Sequence, residues 1–97
     1  MQDLKDYLAK EGINPTENFF KSVEQYTNFN GKPMPIAYYN VCIERRNLKL
    51  WEIGMKPTRH WYVSDVKKYY GIKGSKTKLV SQIEFIKEAL LQGKTHS

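Results

Sequence analysis

An all-α fold, a small bundle of about five helices, is what this 97-residue chain predicts. Apolar residues recur at helical spacing in segment after segment. Proline or serine stands where several of these segments open and glycine where most of them close, which is the punctuation of helix ends. A hydrophobic share of 40%, with 13% aromatic residues, fills one core but hardly two at this length. The expectation is therefore a single domain over residues 1–97, with a frayed tail at 93–97.

Each element follows from local pattern. Leu4, Tyr7 and Leu8 are spaced for a first helix that stops at Gly12. In INPTENFFKSVEQYTNFNG, Asn14 is placed to cap and Pro15 to occupy the first turn. Phe19, Phe20, Val23 and Tyr26 share one side, so a second helix should run on to Asn30-Gly31. The segment KPMPIAYYNVCIERRNLKLWEIG admits two readings. With a period of 3.6, Ile36, Tyr39, Ile43, Leu50 and Trp51 form a stripe, Pro35 sits in the first turn and Gly54 lies past the last. With a period of 2, Tyr39, Val41 and Ile43 make one strand and Leu48 and Leu50 another, giving an α+β alternative with a hairpin within 36–53. The helix is preferred, because both ends are punctuated and Arg46-Asn47 lacks the glycine that a two-residue hairpin turn wants. After the loop MKPTRHWYV, Ser64 caps the short helix SDVKKYY, and Gly71 ends it. Ser75 caps a last helix whose buried stripe is Leu79, Ile83, Ile86 and Leu90, with Val80 and Ala89 beside it.

Composition narrows the function classes. No run of residues reaches the ~20 apolar positions that span a bilayer, and MQDLKDYLAK mixes acids and bases where a signal peptide needs an apolar block. An intracellular, cytoplasmic chain with no membrane partner is expected. Cys42 is the lone cysteine, which rules out an internal disulfide; its expected role is that of a small core residue. The net charge of +6 is unevenly distributed. Residues 1–31 hold three lysines against five acids, whereas Arg45, Arg46, Lys49, Lys56, Arg59, Lys67, Lys68, Lys73, Lys76 and Lys78 face only Glu52 and Asp65 within their block. Such a block suits a surface that meets phosphate, acidic protein or anionic lipid.

The stretch KKYYGIKGSKTK concentrates this chemistry at a corner between two helices. Its glycines are what any tight helix–helix connection uses. Its lysines are not, because lysines in a first helical turn oppose the helix dipole. Free amide groups behind Ser75, with Lys73, Lys76 and Lys78, are the ingredients of a phosphate seat. The corner lacks the glycine spacing and the preceding strand of a nucleotide-hydrolase phosphate loop. Gly71 to Gly74 has the GxxG form found in KH domains, but the strands that such domains need are missing around it. The longer stretch VSDVKKYYGIKGSKTKLVSQI resembles the SAP motif, a DNA-binding helix–extended–helix module. Val63, Val66 and Lys67 look like its first part, Gly71-Ile72 its middle, and Gly74 to Leu79 its last part, with Gln82-Ile83 following; the first helix and the connector are both shorter than in the family. The resemblance covers the C-terminal third and implies that Lys67, Lys73, Lys76 and Lys78 contact DNA phosphates with little reading of sequence. As a whole the chain is similar in style to small proteins of bacterial viruses, a resemblance that implies no activity.

Two functional expectations result. The first is a small basic protein that binds DNA or RNA without catalysis through Arg45, Arg46, Lys49, Lys56, Arg59, Lys67, Lys68, Lys73, Lys76 and Lys78, with Gly74 and Ser75 at the corner and Tyr69, or its neighbour Tyr70, stacking on a base. One of these two tyrosines is expected to pack and the other to stay exposed, while Trp51 and Trp61 are expected in the core. The second is a protein-interaction module or homodimer that uses the tyrosine-rich third segment. Catalysis is disfavoured, since His60 lies in a loop without a carboxylate cluster, His96 lies in the tail, and no catalytic, metal or cofactor motif is present.

Overall fold

The computed structural model describes residues 3–92, so the tail at 93–97 and His96 lie outside the described residues. Among these residues the order is α1 (Asp3–Ala9), α2 (Glu17–Val23), β1 (Tyr26–Phe29), β2 (Lys32–Pro35), α3 (Ile36–Glu52), α4 (Val63–Tyr70) and α5 (Lys76–Leu91). The expected five helices are present, joined by a hairpin that lies elsewhere than the hairpin considered for 36–53.

The second helix is shorter than its spacing predicts, and the reason is local. Asn30 and Gly31 both take positive φ, at 54° and 79°, as a two-residue type I′ turn requires. That turn pairs Phe29 with Lys32 and Tyr26 with Pro35, so Tyr26 leaves the helical stripe and becomes strand. Counting outward from the tight turn, Pro33 and Pro35 both fall in non-hydrogen-bonded pairs, where a missing N–H costs no ladder bond. The start of α2 shifts as well: Thr16, and not Asn14, occupies the cap position. At α4 the cap position belongs to Tyr62 in place of Ser64. At α5 Ser75 caps as expected, its Oγ accepting from the Lys78 amide at 3.4 Å.

Helices α3 and α5 form the central antiparallel pair, with Glu52 reached by Thr77 at one end and Arg45 bonded to Glu84 further along. Ala37, Val41 and Leu48 of α3 join Leu79, Ile83, Ile86, Ala89 and Leu90 of α5 in the core, which Leu4, Leu8, Ile13 and Phe19 complete from the N-terminal side. The face that α3 buries is therefore not the stripe its large apolar residues suggest. Tyr39 is exposed, and Ile36, Ile43, Leu50 and Trp51 are only half-buried. Glu44 and Arg45 can flank the buried line because each finds a partner across it: Glu44 accepts from the Trp61 indole at 2.8 Å and Arg45 donates to Glu84 at 2.8 Å. Cys42, expected in the core, is half-buried on the outer side of the same helix.

Three glycines close helices through the left-handed conformation. At Gly54 the Met55 amide reaches back to the Leu50 carbonyl and the Gly54 amide to that of Trp51, the paired bonds of a Schellman motif. Gly71 carries a second constraint, because the chain at Asn14 lies directly against it. The Asn14 amide donates to the Gly71 carbonyl at 3.3 Å, and the Thr16 amide and hydroxyl both donate to the Tyr69 carbonyl, at 3.0 and 3.2 Å. A Cβ on Gly71 would overlap the Asn14 backbone, whereas one on Gly12 would meet open space. Gly12→Ala should thus cost only the left-handed penalty of about 1–2 kcal/mol, and Gly71→Ala more than about 3 kcal/mol, since backbone must part. Urea unfolding of the two variants checks the difference.

Candidate functional site

Trp51 lies in the last turn of α3, Lys76 begins α5, and residues of the loop from Gly54 to Tyr62 join them. Together Trp51, Gly54, Met55, Lys56, Trp61, Tyr62, Val63 and Lys76 line a cleft of about 290 Å³. The tryptophan rings lie 6.2 Å apart and tilted, each half-buried and each with one side on the core. Neither is a fully enclosed core residue, as the sequence suggested. The Trp61 ring is oriented by its indole N–H, which donates to Glu44 Oε1. Lys56 Nζ stands 4.4 Å from the centre of the Tyr62 ring, and Lys76 Nζ 5.0 Å from that of Trp51. Each pairing contributes about 0.5–1 kcal/mol at such exposure. More important, it fixes two ammonium groups at the rim of one aromatic cleft whose lining holds no acid.

The other expected residues distribute unevenly around this centre. Lys73, Gly74, Ser75 and Lys78 occupy the turn into α5 next to Lys76. There the Lys73 carbonyl accepts from Gln82 Nε2 at 2.7 Å, and the Lys78 stem lies close against Gly74. Lys67 and Lys68 lie in the last turn of α4, where positive charge complements the carbonyl end of the helix. Lys49 is exposed in the last turn of α3, and Arg59 is exposed in the loop. Arg45 is held by its ion pair to Glu84. Arg46 points away from the cleft, into a groove on the outer side of α3 lined by Met34, Tyr38, Tyr39, Cys42 and Ile43. The first turn of α5 carries no acid of its own, but α3 supplies one: Thr77 Oγ1 donates to Glu52 Oε2 at 3.4 Å. Part of the dipole mismatch at this helix start is thereby answered within the protein.

Tyr69 and Tyr70 do not divide into one packed and one exposed ring as expected, since both pack. Tyr70 is buried, edge-on to Phe19, while Tyr69 is half-buried between the Phe19 and Tyr70 rings. The rings that open to solvent beside the basic residues are instead those of Trp51, Trp61 and the 53%-exposed Tyr62. His60 is exposed, and among the described residues no group of three or more His, Cys, Asp or Glu converges as metal ligands. No helix among them is long and apolar enough to cross a membrane. Comparison with protein-family models, with curated proteins and with solved structures finds nothing that matches this chain.

Burial pushes the Tyr70 phenol well above its ordinary range, with the Glu44 carboxylate and then Tyr69 adding to the effect. The folded state thus favours the neutral phenol. Its contribution to stability is complete below the ordinary pKa of about 10 and is lost as pH rises beyond it, at about 1.4 kcal/mol per pH unit. Urea unfolding between pH 9 and 11 should show this decline, and Tyr70→Phe should flatten it.

Proposed function

We propose that the protein binds single-stranded nucleic acid, DNA or RNA, without catalysing a reaction on it. A base enters the cleft of Trp51, Trp61 and Tyr62, and the adjoining phosphates meet Lys56 and Lys76, with Lys73 and Lys78 extending the track. The observation that carries this reading is the pair of lysines held over aromatic rings at the rim of one acid-free cleft. Rings accept any base by stacking, and phosphate neutralisation is indifferent to sequence, so binding of this kind has little sequence selectivity. The helix–corner–helix arrangement of α4 and α5 is compatible with the SAP-like expectation. In that arrangement Lys67 and Lys68 lie in the last turn of the helix whose first residue, Val63, lines the cleft, and they add charge without lining it.

Fluorescence anisotropy with a labelled single-stranded oligonucleotide tests the reading. Affinity should fall steeply with salt, with a slope that tracks the phosphates engaged. Lys76→Glu should weaken binding about tenfold or more, and Arg46→Glu, the same change of charge on the outer side of α3, less than about threefold. Equal losses would mean attraction by net charge alone, and no binding at low salt would end the proposal.

A second reading, self-association, rests on the displaced apolar stripe of α3 and the groove of about 530 Å³ beside it. A second copy would cover Met34, Tyr38 and Ile43 there. Sedimentation at micromolar concentration should then show a dimer that Ile43→Glu disrupts, and a monomer would dismiss this reading.

A further inference from the structure

A second cleft, of about 520 Å³, opens between α3 and α4. Trp61 and Tyr62 line both clefts, but the chemistry of this one is opposite. Its lining holds the carboxylates of Glu44 and Asp65 and the imidazole of His60, and no lysine or arginine, in a chain of net charge +6. Asn40 and the rings of Trp61, Tyr69 and Tyr70 line the space around them.

Tyr70 adds an independent observation. The residue is 3% exposed, and no hydrogen bond engages its hydroxyl among the described residues. Yet no side-chain oxygen or nitrogen among them is both enclosed and unpartnered. The remaining accessible surface of Tyr70 must then include its hydroxyl, and the cleft is where Tyr70 opens. A buried phenol with an unused hydrogen-bonding group, beside two carboxylates and an amide, forms a set of acceptors around a partly apolar space. Phosphate would be repelled from it. A cation with N–H donors and a short apolar stem would satisfy it, because each carboxylate bond would be charge-assisted and the stem and charge could both lie against aromatic rings.

We propose that this cleft binds an alkylammonium ion, whose charge is met by Glu44 and Asp65, whose N–H groups reach the Tyr70 hydroxyl and the Asn40 carbonyl, and whose stem lies along Trp61 and Tyr69. The site is separate from the nucleic-acid reading and stands or falls without it.

The test is an NMR titration of the full chain with n-butylammonium chloride at constant ionic strength, with 1-butanol as the neutral control. Saturable shifts are expected at the Trp61 indole N–H and at the Asp65 and Tyr69 amides, with 1-butanol at least about fivefold weaker. Glu44→Gln keeps an acceptor for the Trp61 indole and removes the charge; it should weaken butylammonium binding about fivefold or more, as should Asp65→Asn. Dispersed core amides such as those of Leu79 and Ile83, unmoved from their positions in the parent chain, confirm that Glu44→Gln is folded, and if it is not, Asp65→Asn decides. Equal binding of 1-butanol, shifts confined to other surfaces, no saturation up to about 100 mM, or unchanged affinity in the folded charge variants would each overturn the proposal.

Discussion

The meeting of two backbones at Gly71 and Asn14 is the constraint on which the arrangement of the C-terminal half depends. It joins chain segments far apart in sequence at a distance that no side chain tolerates. The bonds from Thr16 to the Tyr69 carbonyl and from Asn14 to the Gly71 carbonyl satisfy main-chain acceptors at the end of α4 that would otherwise need water. With the end of α4 held, the Tyr70 ring is pressed against Phe19 and Ile72 is carried into the core. The five residues from Gly71 to Ser75 then have little freedom in where they deliver the first turn of α5. The position of Lys76 beside Trp51 is thus set from the N-terminal third of the chain as much as from its own helix.

A second layer of organisation is electrostatic. The two α3 carboxylates with side-chain partners go to different neighbours, Glu44 to the Trp61 indole and Glu52 to Thr77, while Glu84 of α5 reaches back to Arg45 of α3. The ion pair, at 37% and 43% side-chain exposure, contributes at most about 1 kcal/mol and serves register more than stability. Its larger effect is to remove Arg45 from the free positive surface. What remains is a cationic cleft and an anionic one, with Trp61 and Tyr62 lining both. A net charge of +6 says nothing of this division, because opposite charges cancel in a sum and not in space.

Much of the fold was legible in the sequence wherever a single residue type decides a local conformation. Gly12, Gly54 and Gly71 end helices as read, Ser75 caps as read, and the stripe of α5 from Leu79 to Leu90 is buried as read. The hairpin is a feature the sequence reading missed: Asn30-Gly31 is a pair that a two-residue turn takes, but the apolar spacing of Phe19 to Tyr26 pointed to a continuing helix. The turn wins because Asn30 and Gly31, both at positive φ, fold the chain back on itself and pair Tyr26 to Phe29 with Lys32 to Pro35 as strand. The buried face of α3 was not legible. Periodicity assigns charged residues outward, and it cannot know that Glu44 and Arg45 are matched by Trp61 and Glu84, which are 17 and 39 positions away. The candidate site was half legible for the same reason: the basic residues could be named, but which of them share a cleft depends on partners distant in the chain.

The two tryptophans illustrate why core and site need not be alternatives in a chain of this size. A small domain has too little volume to enclose every large ring, so some must sit at the margin with one face on the core and the other on solvent. Such a ring still contributes buried area, and its open face is already apolar and rigid. Trp61 is held for a further reason, since a 2.8 Å bond from its indole to Glu44 restricts rotation of the ring. A base that stacks on it would therefore find a surface ordered before binding, with little side-chain entropy left to lose. The same bond holds the Glu44 carboxylate, which lines the acidic cleft. A single polar contact thus orients the aromatic wall of the basic cleft and fixes a carboxylate of the acidic one.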